Sequence, residues 1–146
     1  MANAVGEGAV SHGYAVYFNL PGVAVVTWDP TLRAVYVDVQ GWADSTELAA
    51  LLEAGLQALT EHSGSRWLTD ARKPKSDQKL RPAIVEEFFP RARAAGLRRI
   101  ALVITNERAI MTLDRLVRRL PAAKAEVAYF ATVDEARSWL NATRET

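Results

Sequence analysis

Hydrophobic and polar positions alternate from Tyr14 to Asn19, with Tyr14, Val16 and Phe18 assigned to one face, and the run stops at the turn dipeptide Pro21-Gly22. This pattern predicts a strand and a tight turn. Val23 to Trp28 is rich in β-branched residues and stops at Asp29-Pro30; Ala34 to Val39 then sets Val35, Val37 and Val39 against Tyr36 and Asp38. The opening third therefore predicts an antiparallel three-strand meander.

After Gly41 the period becomes helical, with Leu48, Leu51, Leu52, Gly55 and Leu59 on one stripe. The helix is expected from about Ser45 to His62. Asp44 followed by Glu47 has the spacing of a capping box, and Gly64 is placed to adopt the left-handed conformation that ends many helices. Arg66 to Asp70 reads as a short strand and Ala71 to Lys79 as a polar loop. A helix follows from about Pro82 to Ala95. Pro90 is expected to kink or divide it, because proline lacks the amide donor and clashes with the preceding turn.

Arg99 to Thr105 (RIALVIT) is almost continuously apolar, the pattern of a strand covered on both faces, so Ile100, Leu102 and Ile104 are expected to be buried. Asn106 caps a helix from Glu107 to about Leu120. A last strand, Glu126 to Ala131, leads into a helix with capping-box spacing at Thr132 and Glu135, docked through Trp139 and Leu140. The order βββαβαβαβα predicts an α/β fold with a mixed sheet, parallel after the meander. One domain is expected over residues 14–141, with a flexible tail at 1–13 and a short tail at 142–146.

Composition narrows the function classes. The 146 residues suffice for one core without staples. No cysteine is present, so disulfides, thiolate metal sites and a Cys nucleophile are excluded. Eighteen basic against 17 acidic residues give a net charge of +1, which argues against a nucleic-acid partner. Residues 1–12 lack the basic flank and apolar run of a signal peptide, and no stretch has the length of a membrane span, so a cytoplasmic protein is expected. His12 and His62 have no Cys, Asp or His at ligand spacing, and no Gly-rich phosphate loop is present. No metal, no cofactor and no catalytic residue is expected.

The segments WLTDAR (Trp67 to Arg72), FFPRARAAGLRRIALVI (Phe88 to Ile104) and YFATVDEARSWL (Tyr129 to Leu140) resemble the bacterial STAS-like, SpoIIAA-like domain family. The resemblance spans nearly the whole domain. It implies a βα superhelix around a mixed sheet, and relatives that are mostly regulatory protein-binding modules, among them anti-sigma-factor antagonists switched by phosphorylation of one serine. It also implies a more distant relation in fold to the CRAL-TRIO carriers of hydrophobic ligands. The switch signature departs from the family pattern, since Asp70 is followed only by Ser76-Asp77, without a Ser-Gly.

Candidate binding residues are Asp70, Arg72, Lys73, Ser76, Phe88 and Phe89. Asp70 ends a parallel strand, the edge where open α/β sheets bind ligands, although an Asp there also serves to satisfy loop amides. Arg72, Lys73, Lys75 and Lys79 could pair with an acidic partner, or with a phosphoryl group on Ser76 carrying about −1.5 to −2 charge. Phe88 and Phe89 are adjacent on a helix and point in different directions, which offers one of them to a groove or interface. Arg108, Arg115 and Arg119 share a helix face whose first reading is plain amphipathicity. The expected function is a non-enzymatic regulatory or protein-interaction module, as a homodimer or with another protein. The alternative is a carrier or sensor of a small hydrophobic, lipid-like ligand, for which an apolar pocket would be the mark.

Overall fold

Six strands form one sheet in sequential order: β1 (Ala15–Leu20), β2 (Ala24–Asp29), β3 (Ala34–Val39), β4 (Arg66–Asp70), β5 (Arg99–Val103) and β6 (Glu126–Phe130). The computed structural model describes residues 15–41, 43–73, 82–119 and 125–142. The first two pairings are antiparallel and the last three parallel, as the meander and the later alternation predict. Among the described residues four helices complete the order: α1 (Ser45–His62), α2 (Pro82–Ala94), α3 (Glu107–Arg118) and α4 (Val133–Ala142).

Because each parallel strand is added on the same side of its predecessor, crossovers of one hand place their helices on one face. α1, α2 and the end of α3 accordingly pack on the face carrying Val26, Trp28, Val35, Val37, Trp67 and Ile100. α4, which follows the last strand, covers the other face through Ala136 and Leu140 against Leu68, Ala101 and Val103.

The caps form where the spacing places them. The Asp44 carboxylate accepts from the Glu47 amide at 2.8 Å, and the Glu47 carboxylate accepts from the Asp44 amide at 2.9 Å. Asn106 accepts from the Ala109 amide at 3.0 Å, and at the start of α4 the Thr132 hydroxyl accepts from the Glu135 amide and donates to the Glu135 carboxylate, each at 3.2 Å.

Four expectations are revised. The register shifts between Val16 and Phe18, so Phe18 pairs with Val26 on the α1 face while Val16 pairs with Thr27 on the other. Ser63, not Gly64, takes the left-handed conformation that closes α1, at φ 50°. Gly64 serves close approach instead: a Cβ there would lie 2.7 Å from the Trp28 ring, and one at Gly55 would lie 2.1 Å from Trp67. α2 runs through Pro90 undivided. β5 is interior and Ile100 is buried, but Leu102 and Ile104 are only half-buried, Ile104 lying past the end of the strand. The reason is a cavity over the carboxyl end of that strand.

A candidate ligand cavity between α1 and α3

α1 lays Leu48, Leu51 and Leu52 over the carboxyl ends of the central strands, while α3 stands off from it. α3 contributes the buried Leu116 and the half-buried Val117 near its C-terminal end. Its first turns, carrying Arg108, Ala109, Thr112 and Leu113, instead line a cavity of about 810 Å³. Val37, Val39, Trp67 and Leu102 make the floor from the sheet, with Val23 from the turn before β2. Such a site outside the carboxyl ends of the strands is where open α/β folds place ligands.

The polar lining is gathered at one end. Thr69 and Arg72 come from the end of β4 and the residues after it, Thr105 and Asn106 from the turn after β5, and Arg108 and Thr112 from the start of α3. Thr69 is held by the Trp67 indole N–H, which donates to its hydroxyl at 2.8 Å. Among the described lining residues none is Asp, Glu, His, Lys, Ser or Cys. Among all described residues no cluster of His, Cys, Asp or Glu has the arrangement of a metal site.

The other face of the same strand ends is polar and filled. Asp70 is 5% exposed and both of its oxygens are engaged by the Arg72 guanidinium at 2.9 Å, with the Arg72 amide also donating at 3.2 Å. Burial raises the Asp70 pKa, but the Arg72 side-chain and amide hydrogen bonds and the charges of Arg72 and Lys73 outweigh it, holding the carboxyl below its ordinary value. A carboxylate pinned in this way is a poor proton acceptor at neutral pH. Asp38, the register partner of Asp70 on β3, lies 4.0 Å from the Lys73 ammonium and accepts from the Gln40 amide at 3.3 Å. Tyr36 sits among these groups, its pKa raised first by burial and then by the Asp70 and Asp38 charges. At the opposite end of the strands, beside the start of β3, Asp29 is held by Arg137 at 3.0 Å and by the amides of Thr31 and Leu32.

The residues singled out from sequence therefore separate. Arg72 reaches the cavity rim, Asp70 positions it, and Lys73 faces Asp38. Ser76 lies outside the described residues. Phe88 and Phe89 are 7% and 8% exposed, their rings edge to face at 5.6 Å, with Phe88 also against Trp67 at 5.3 Å. Both are buried because α2 packs against α1 as well as over the sheet, so neighbouring helix positions each find cover. Neither is among the residues that line the cavity. Sequence reasoning missed Leu48, Leu52, Leu102 and Arg108 as lining residues. The first three carry the pattern of ordinary core, and only Arg108, a cation in the first turn of a helix, gave a sign.

No helix among the described residues is long and apolar enough to cross a membrane. No curated protein matches the sequence. The fold is similar to the crystal structure of an uncharacterised DUF3478-family protein with a SpoIIAA-like fold from Shewanella loihica PV-4. The TM-score is 0.57 at 15% identity, with 84% of this chain and 97% of the other covered. The SpoIIAA-like family profile matches residues 34–141, from the start of β3 to the last helix. With that match over most of its length, the chain belongs to the SpoIIAA-like family.

Proposed function

We propose that this domain is a binding module and not an enzyme, and that it carries or senses a small hydrophobic ligand in the cavity between α1 and α3. The observation that carries the reading is the cavity, whose volume of about 810 Å³ falls in the range of roughly 300–1,000 Å³ usual for small-molecule sites. Apolar side chains that face an open cleft keep their contact with water, and an apolar occupant gains the free energy of removing them from it. The lining supports the non-enzymatic part of the reading, since its described residues offer no carboxylate, imidazole or amine as a general base. The regulatory, protein-interaction role implied by the family resemblance has less geometric support among the described residues.

The test uses N-phenyl-1-naphthylamine, a neutral apolar fluorophore. Saturable binding at one site per chain is expected, and it is lost in Leu102→Trp and Leu52→Trp, whose indoles occupy the cavity from the floor and from α1. Unchanged binding in both variants, each with a cooperative unfolding transition, places the probe elsewhere and overturns the reading.

A further inference from the structure

The cavity is polarised, and its polarity points to the chemistry of its occupant. Among the described lining residues, α1 contributes Leu48, Leu51 and Leu52 and the sheet Val37, Val39, Trp67 and Leu102, with Thr69 the one polar side chain from a strand. Charge enters at one end alone, as Arg72 and Arg108, and no acidic residue stands among the described lining residues. Arg72 is already shared with Asp70 through two hydrogen bonds and remains 40% exposed. Arg108 is exposed, and its side chain has no ionic partner among the described residues.

Arg108 is a cation at the end of a helix that favours anions. It is the second residue of α3, next to Glu107, whose acid matches the positive end made by the unsatisfied amides while the Arg108 cation does not. The neighbouring cap group, the Asn106 oxygen, is spent on the Ala109 amide. The rim thus gathers two guanidiniums and a helix N-terminus beside an apolar chamber, so that an anion arriving there is met by charge-assisted donors.

Resting on the cavity reading above, we infer that the occupant is a single-chain amphiphile with a carboxylate head: its alkyl chain lies along Leu48, Leu52 and Leu102, and its carboxylate sits at the rim against Arg108 and Arg72. A neutral oil would leave Arg108 without an anionic partner, whereas an anion with no alkyl chain would leave the chamber empty.

Affinities of wild type and Arg108→Gln are compared by calorimetry for decanoate, dodecanoate, 1-dodecanol and dodecyl phosphate, with Arg108→Lys as a charge-conserving control. The wild type is expected to bind dodecanoate about tenfold or more tightly than dodecanol, as charge-assisted hydrogen bonds allow. Arg108→Gln narrows that ratio to about threefold or less, and Arg108→Lys keeps most of it. Each methylene between decanoate and dodecanoate adds about fourfold in both proteins, the equivalent of roughly 0.8 kcal/mol per buried CH₂. Equal binding of acid and alcohol by the wild type, or a ratio that survives Arg108→Gln, overturns the anionic head while the chain-length dependence keeps the cavity reading. Dodecyl phosphate binding tenfold tighter than dodecanoate overturns the carboxylate. Absence of binding by every amphiphile, with no dependence on chain length, removes the cavity reading itself.

Discussion

The two ends of α1 rest on the same sheet with the same spacing of leucines and meet different surroundings. Toward its C-terminus, Leu59 is fully buried, Gly64 lets the Trp28 ring close in, and that ring stacks on His62 with centroids 4.3 Å apart and planes 1° apart. The His62 ring is also tied at 3.0 Å to the Tyr17 hydroxyl, so the rings are held from both sides. Toward the N-terminus, Leu48 and Leu52 face the cavity. One end is solid because glycines allow rings to fill it; the other is hollow because α3, which would cover it, docks only near its far end. Whether an apolar stripe becomes core or binding wall is thus decided by a neighbouring element and not by the stripe.

The largest contrast is expected from truncating leucines at the two ends. Leu59→Ala removes a fully buried side chain and is expected to cost about 2–5 kcal/mol in urea unfolding. Leu52→Ala, at the edge of existing space, is expected to cost about 1 kcal/mol or less. Comparable losses would mean that α1 is packed alike at both ends in solution.

A smaller effect is expected from Gly64→Ala. The new methyl meets a ring that has nowhere to go, and overpacking of this kind costs about 1–3 kcal/mol. A thermal transition unchanged from wild type would show that the Trp28 and His62 stack yields, contrary to the rigid end described above.

Acid titration tests the polar end of the sheet, where Asp70 positions Arg72 for the rim. Its carboxyl has a lower pKa folded than unfolded, so the unfolded chain takes up the proton first as the pH drops. The stabilisation is present above the ordinary Asp value of about 3.9 and is lost as pH falls through the folded value. Stability measured by urea unfolding between pH 5 and pH 2 is therefore expected to fall more steeply for the wild type than for Asp70→Asn. Parallel curves would show that the Arg72 pair does not stabilise the folded state.

The smallest effect belongs to Leu102→Phe, which enlarges a half-buried side chain beside the cavity. Its stability is expected to stay within about 1 kcal/mol of wild type, where the same enlargement in a filled core costs more. A large loss would place Leu102 against a closed wall.

Much of the fold was legible because it is encoded locally. Asp44 with Glu47, Asn106, and Thr132 with Glu135 announce helix starts by spacing, and the change from alternating to helical period after Gly41 separates the meander from the parallel half. What escaped depends on packing between distant elements. The register shift beside Phe18 reverses a face that alternation assigns, and Gly64 has a partner, Trp28, that sequence distance conceals. The site was legible only at its rim: Arg72 could be picked out beside a strand end, whereas Leu48, Leu52 and Leu102 look like core until the position of α3 is known. Phe88 and Phe89 show the converse, conspicuous in sequence and buried in the fold.

The most direct test of the central claim is a methyl NMR titration of the wild-type protein with dodecanoate, following the leucine and isoleucine methyl groups. Shifts are predicted at Leu48, Leu52, Leu102 and Ile104, which line the cavity, with little change at Leu59 in the solid end of α1 and at Leu140 of α4 on the opposite face of the sheet. Shifts at Leu140 with none at Leu52 or Leu102, or no saturable shift at any methyl group, would contradict the account.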